Sequence, residues 1–448
     1  MKHARILVAG VVAAALVAIP LAVAVGARLD KNSATDLALI EGVIRLVEHD
    51  YVHPIGAHDL TKDALKGMLN RLDPHSDYMD EQEYRESQSN ISGEFGGLGI
   101  EISEQGGVPK VIAPIDGTPA ARAGLQPGDL IVSINGESAQ GMNLDKVVRV
   151  LRGKPGTNVT ITIARGNKEP FDVTITRSII KVATVKSKLL PNSIGYARVT
   201  EFGEATPADL KQALLKMNTE AGGKLKGMVL DLRNDPGGLL TSAVAVAGDF
   251  LKGGTVVTIK GRLATDNESY QADSSGTIEP TAPMVVLING ASASASEIVA
   301  GALQDRHRAT IMGTQSFGKG SVQTIIPLNG HGALRLTTAL YYTPGGRSIQ
   351  GKGITPDVVL EAPKDQQIAG AYMPHESALR GAFHNPGTLD GKKTDKKDAT
   401  QAATAAAATK AKYSAPIKAD LIGTDKDAQL KAALDYLAAK LGAVAKKI

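Results

Sequence analysis

Two short stretches of this chain carry residue types that could do covalent chemistry together. The first is Asn289-Gly290-Ala291-Ser292-Ala293-Ser294-Ala295-Ser296-Glu297-Ile298, where an apolar run (Met284 to Ile288) gives way to small residues and then to a helical pattern. A tight turn of this kind lets a serine hydroxyl stand clear of the backbone. The helix start supplies unpaired N–H groups and a positive dipole end for a developing oxyanion. A plain Ser-rich helix cap has the same appearance, and the G-x-S-x-G elbow of the hydrolases is absent. Glu297, in the first helical turn, reads as a charge that suits the helix dipole.

A serine nucleophile needs a base. His307 follows the helix and His331 falls in a turn, so neither histidine is well placed. The second stretch, Gly313-Thr314-Gln315-Ser316-Phe317-Gly318-Lys319-Gly320-Ser321-Val322-Gln323, offers Lys319. A lysine with an ordinary pKa of about 10.4 is no base at neutral pH. Burial among glycines and apolar groups disfavours the ammonium and lowers that value. No charged residue flanks Lys319 within the stretch, and Gln323 is spaced to orient the amine. The same stretch nearly spells a nucleotide loop, GxxxxGK[ST]. Gly320 replaces the Ser or Thr that would hold magnesium, and a strand pattern follows where that loop needs a helix.

The elements that must position these residues follow from patterning. The chain has 448 residues, which at roughly 100–200 per domain predicts two to four units. Residues 35–90 look helical, with Leu37, Ile40, Ile44, Leu46 and Val47 at helical spacing and the pattern repeated from Leu60 to Leu72, then broken at Asp73-Pro74-His75-Ser76. Residues 94–183 alternate short Val/Ile runs with Gly and Pro turns, which predicts a small, mostly β module with one helix at Leu144–Leu151. Residues 184–360 alternate strands and helices, which predicts an α/β layer. Residues 363–418 read as a linker, with low complexity over Thr400–Lys412. A last helix is expected within 425–445; Leu430, Leu434, Leu437 and Leu441 form a stripe that needs a surface on the core or on another subunit.

Composition excludes several functions. There is no cysteine, so disulfides, thiolate metal sites and cysteine nucleophiles are ruled out. The nine histidines show no metal-site spacing, and no metal or other cofactor is expected. Net charge is +4, aromatics are 4% and the body of the chain has no long basic run, which argues against nucleic acid. Lys2, His3 and Arg5 precede an apolar run from Ile6 to Ala27, so residues 1–28 read as a signal peptide or a membrane anchor. Either reading places the body outside the cytoplasm, in the periplasm or on the outer face of the cytoplasmic membrane.

The motifs NxxSASASEIxAGALQD and GxxSFGKGSVQ closely resemble those of the carboxyl-terminal processing proteases, S41-type peptidases with a Ser-Lys dyad and a PDZ domain. The resemblance covers roughly 35–360 and implies an exported serine endopeptidase. By it, Ser294 is the nucleophile, Lys319 the base and Gln323 the glutamine that accompanies them, while Ser292 and Ser296 are structural. The segment Asp231-Leu232-Arg233-Asn234-Asp235-Pro236-Gly237-Gly238 matches as well. It implies an oxyanion hole from Ala295 and either Gly237 or Gly238, two glycines that a plain strand-to-helix turn would also require.

The module at 94–183 resembles a PDZ domain through Gly96-Gly97-Leu98-Gly99-Ile100, Ala121-Arg122-Ala123-Gly124-Leu125-Gln126-Pro127-Gly128-Asp129-Leu130-Ile131 and Ile134-Asn135-Gly136. Such a domain adds a peptide as an edge strand and holds its carboxylate on loop N–H groups. Leu98, Gly99 and Ile100 would form that loop and strand, and Val148 would wall the side-chain pocket. The partners implied are proteins with apolar C-termini, with room for an adaptor and for a homo-oligomer. A catalytically silent PDZ scaffold at a membrane is the alternative from another class, and the presence of both dyad segments speaks against it.

Overall fold

The structure is a computed structural model that describes residues 31–279, 281–368, 375–387 and 417–445. The expected export segment, 1–28, and the low-complexity run Thr400–Lys412 lie outside the described residues. No helix among the described residues is long and apolar enough to cross a membrane.

The N-terminal region is helical as its periodicity predicts, with α1 (Lys31–Asp50), α2 (Ala57–Asn70) and α3 (Glu81–Ser92). A short strand, β1 (Asp77–Met79), was not apparent in the sequence. Asp73 makes the break between α2 and β1. Its carboxylate accepts the N–H of His75 (2.8 Å) and of Ser76 (2.9 Å), together with the Ser76 hydroxyl (2.6 Å).

The β module follows: β2 (Glu94–Gly97), β3 (Ile100–Gln105), β4 (Val108–Pro114), the short helix α4 (Pro119–Arg122), β5 (Leu130–Ile134), β6 (Glu137–Ser138), α5 (Leu144–Leu151), β7 (Asn158–Ala164), β8 (Phe171–Thr176) and β9 (Ser178–Lys181). Its antiparallel sheet runs β3-β4-β5-β7-β8, and β2 pairs with β9. Val147 and Leu151 on α5 pack with Val111, Ile131, Ile161 and Ile163 of the sheet.

The α/β core comprises β10 (Val185–Leu190), β11 (Ile194–Val199), α6 (Thr206–Glu220), β12 (Gly227–Asp231), α7 (Leu240–Gly248), β13 (Thr255–Gly261), β14 (Glu268–Gln271), β15 (Met284–Ile288), α8 (Ala295–Asp305), β16 (Thr310–Gly313), β17 (Ser321–Pro327), β18 (Ala333–Tyr342) and β19 (Val358–Val359); α9 (Ala428–Ala445) comes last. The sheet order is β10-β11-β12-β15-β16-β19, parallel from β11 to β19, with β10 antiparallel at the edge.

Both faces of this sheet are covered, which explains why β15 reads as the unbroken apolar run MVVLI. Val286 and Ile288 face a core with Leu210, Leu214, Val246 and Val299 from α6, α7 and α8. Val285 and Leu287, alternating with them, face Leu430, Ala433 and Leu437 of α9. The leucine stripe of the last helix therefore finds its surface on the core of its own chain.

The expected linker is packed where it is described. His375 and Glu376 are buried, and so is Ile417, which bridges to Gln367.

The described chain divides into two units, 31–84 with 323–338, and 85–322 with 339–445. The PDZ-like module is grouped with the core in the larger unit. In the smaller one, β1 pairs antiparallel with the start of β18, Asp77 opposite Arg335. In the larger one, β13 pairs antiparallel with the end of β18, Thr258 opposite Tyr342.

Candidate active site

The serine turn sits where β15 leaves the sheet. Three serines compete for the role of nucleophile, and their hydrogen bonds separate them. The Ser292 hydroxyl donates to the Leu232 carbonyl (2.7 Å) and accepts the Asn289 N–H (2.9 Å). The Ser296 hydroxyl donates to the Asp235 carbonyl (3.0 Å). Both are fully buried and tie the serine turn to the segment after β12. Ser294 alone of the three is partly exposed. Its backbone is strained, at φ 55° and ψ −112°, a conformation costly for a residue with a Cβ. Ser294 is also the N-cap of α8, so Ala295 opens the helix with its N–H free of intrahelical partners.

Glu297 organises the site. It is fully buried, and its two oxygens collect donors from both candidate stretches. Oε2 accepts the backbone N–H of Ser294 (2.8 Å) and that of Lys319 (2.9 Å). Oε1 accepts the Ser316 hydroxyl (2.5 Å) and the Gly318 N–H (2.7 Å). Burial pushes the Glu297 carboxyl up to about 7, against the pull of these four donors. The sequence suggested only a dipole charge here. Ser294 followed three positions later by Glu297 is the S-x-x-E capping pattern, which was the available signal.

The lysine loop between β16 and β17 is clamped from other sides too. The Tyr341 hydroxyl donates to the Lys319 carbonyl, and the Ser294 side chain is near enough to act on the Tyr341 pKa. Tyr341 is buried, and that burial holds its pKa well above the usual tyrosine value, so it stays a neutral phenol. The Gly320 N–H donates to Gln350 Oε1 (2.9 Å), and Gln350 Nε2 donates to buried Glu376 (2.9 Å). His375 packs against Gly318: a Cβ built on that glycine would lie 2.9 Å from its Nε2. Burial lowers the His375 pKa. Ser321 opens a strand, so the segment lacks the helix N-terminus that a phosphate loop requires.

The glycine pair lies against the serine turn from the β12 side. A Cβ on Gly237 would meet the Ala293 carbonyl at 2.6 Å, the Ala295 nitrogen at 2.8 Å and Ser294 Cβ at 2.9 Å. One on Gly238 would meet the Phe202 carbonyl at 2.4 Å. Gly237 therefore makes the close approach to Ser294, and its N–H donates to Asp235 Oδ1 (2.8 Å). Asp235 is buried, which pushes its pKa well up. Gln323 falls in the smaller unit, where its amide donates to Thr337 (3.2 Å).

The candidate tail-binding residues come together. Leu98, Gly99, Ile100 and Val148 line one cavity of about 430 Å³, with Phe95, Ile102, Ile112, Leu151 and Arg152. Gly99 adopts φ +75°, and a Cβ there would lie 2.4 Å from the Thr118 side chain. Among the described residues no cluster of acidic residues and histidines could hold a metal ion.

Residues 193–360 match the profile of peptidase family S41, residues 110–165 that of a PDZ domain, and residues 22–83 that of the activating protease CtpB N-terminal domain. A carboxy-terminal-processing protease of Bartonella bacilliformis is 49% identical over 355 residues, 79% of this chain and 81% of that protein. A probable CtpA-like serine protease of Staphylococcus aureus is 39% identical over 344 residues, 76% of this chain and 68% of that protein. Among solved structures, the photosystem II D1 C-terminal processing protease is 29% identical, with a TM-score of 0.43 over 73% of this chain and 93% of that one.

Proposed function

Because this chain belongs to peptidase family S41 and is a carboxy-terminal-processing serine protease with a PDZ domain, we propose that it cleaves exported proteins through a Ser294–Lys319 dyad after capturing their C-terminal tails. The observation that carries the dyad is the bridging carboxylate. One oxygen of Glu297 takes the backbone N–H groups of both Ser294 and Lys319. Residues 25 positions apart in sequence are thereby held side by side.

The chemistry is acyl transfer. Neutral Lys319 takes the Ser294 proton as the hydroxyl oxygen attacks a peptide carbonyl. The oxyanion rests on the N–H of Ala295, at the positive end of α8, and on an N–H of the Gly237–Gly238 pair. Lys319 then gives its proton to the leaving amine, and water releases the acyl-enzyme. Tyr341 turns the Ser294 hydroxyl without exchanging a proton, since its pKa lies too high. The cavity beside Ile100 and Val148 receives an apolar C-terminal side chain.

Export follows in this reading from the charged and apolar N-terminal segment, which places the enzyme in the periplasm or on the outer face of the cytoplasmic membrane. The match of residues 22–83 to the CtpB N-terminal domain leaves room for an adaptor or a second copy at that end. The test is Ser294→Ala. It should lose at least a thousandfold in peptide hydrolysis and all labelling by a serine-directed probe, with tail-peptide binding unchanged. Hydrolysis at wild-type rate by that variant would refute the assignment.

A further inference from the structure

The C-terminal segment reaches past the sheet face it covers and grips the residues that lead into the glycine pair. Arg233, two residues beyond Asp231 at the end of β12, is fully buried. Its guanidinium donates to Asp231 through Nε (2.9 Å) and Nη2 (2.5 Å), and to Asp427 through Nη1 (3.0 Å) and Nη2 (2.5 Å). Nη1 also donates to Gln429 Oε1 (2.9 Å). Asp427 is itself fixed by the N–H groups of Gly423 (2.9 Å) and Leu430 (3.0 Å), at the start of α9. The next residue, Asn234, donates from its side chain to the Ile417 carbonyl (3.0 Å) and exchanges hydrogen bonds with Asn289 of the serine turn.

A buried ion pair is weak evidence for stability, because apolar groups of the same shape serve as well or better. What a guanidinium fork adds is direction: a rigid plane that fixes the angle between the two carboxylates it joins. Here that plane joins the C-terminal segment to the strand end from which Asn234, Asp235 and Gly237 run to Ser294. We propose that the segment 417–430 positions the candidate oxyanion turn, with Asp427 as the positioning residue acting through Arg233. The inference rests on the protease reading above. Neutralising Asp427 leaves Arg233 paired one to one with Asp231, so no buried cation is left unpaired. In Asp427→Asn the plane keeps one acceptor oxygen and Gln429 but loses the two-oxygen fork that fixed its angle, and the turn loses its fixed distance to Ser294.

The test uses the full chain and a peptide substrate that ends in an apolar residue. Asp427→Asn, Gln429→Leu, Ser294→Ala and, as a control on the exposed face of α9, Asp435→Asn are compared. kcat and KM are measured per folded molecule, well below each variant's unfolding temperature, and the thermal unfolding curve of the full chain gives the folded fraction. Asp427→Asn should lose at least tenfold in kcat with KM within twofold of wild type. Gln429→Leu should lose two- to fivefold in kcat in the same manner, and Asp435→Asn should match wild type. A purely structural role would lower the folded fraction and leave kcat per folded molecule intact. If folded Asp427→Asn keeps kcat within twofold, the inference is overturned; if that variant does not fold, unchanged kcat in Gln429→Leu overturns it. An active Ser294→Ala would instead bring down the protease reading itself.

Discussion

Lys319 can serve as a base only in its neutral form, so the rate should rise with pH as the ammonium loses its proton. Lys319→Arg keeps charge and reach but cannot lose its proton near neutrality. It should be as inactive as Lys319→Ala, at least a thousandfold down, in a pH series of peptide hydrolysis. Near-full activity in Lys319→Arg would end the dyad. His375 is the histidine that packs against the lysine loop, and burial keeps it neutral. His375→Gln, which keeps the loop packed, should hold activity within fivefold; a dead variant would move the base from the lysine to the histidine. Glu297 has its own pH signature. Its folded pKa, about 7, stands above the ordinary value of 4.5, so the folded state binds the extra proton. Its contribution is therefore fully present below about pH 4.5 and is lost as pH rises through about 7, a swing on the order of 3 kcal/mol. Thermal unfolding should show wild type gaining stability from pH 8 to pH 5 relative to Glu297→Gln, which cannot titrate. Parallel pH curves for the two would show that Glu297 does not titrate in this range. Glu297→Gln should also lose at least tenfold in kcat, because the ionised form is the one that accepts all four donors.

At the scale of elements, the serine turn and the glycine turn are pressed together with no space for a side chain. Gly237→Ala would put a methyl 2.6 Å from the Ala293 carbonyl and 2.8 Å from the Ala295 nitrogen, at a φ of +100°. Such backbone strain costs about 1–3 kcal/mol. Because the displaced atoms belong to the candidate oxyanion hole, peptide hydrolysis should fall at least a hundredfold while tail binding persists. Activity within tenfold of wild type would remove this turn from the chemistry. Much of the frame was legible beforehand. β15 is legible to the residue, since a buried parallel strand bounded by Pro283 and Asn289 leaves little choice, and so is α5 from its apolar spacing. β1 escaped because three residues carry no period, and its pairing with β18 is a contact across more than 250 positions. The serine and the lysine stood out because their neighbours are small and uncharged, a local signal. What stayed hidden was how they are joined. Glu297, Tyr341, Arg233 and Asp427 act through partners far off in sequence, and spacing alone does not encode such partners. The stretch after 363 looked like a linker by composition, yet Glu376 is buried and braces Gln350 beneath the lysine loop.

Over the whole molecule, the candidate tail cavity and the candidate dyad occupy separate sites in the larger unit. The cavity at Leu98, Gly99, Ile100 and Val148 is built by the β module, and the turns that carry Ser294 and Lys319 by the α/β core. If the first delivers substrate to the second, harm to the cavity should appear only with substrates that carry a tail. Val148 is half-buried on α5 between fully buried Val147 and the cavity, so a charge there meets the bound tail and leaves the module's core untouched. Val148→Asp puts a charge among the apolar side chains that would hold the tail, and it repels the substrate's terminal carboxylate, so both effects oppose binding. For a protein with a free apolar C-terminus, kcat/KM should fall at least tenfold. For a short peptide blocked at its C-terminus, which the cavity cannot hold, kcat/KM should match wild type. Amidating the tail of the protein substrate should reproduce the loss in the unmutated enzyme. Equal loss on both substrates would mean that the module's integrity, not its cavity, supports the core. Equal retention on both would mean that substrates reach Ser294 without passing through the cavity at all.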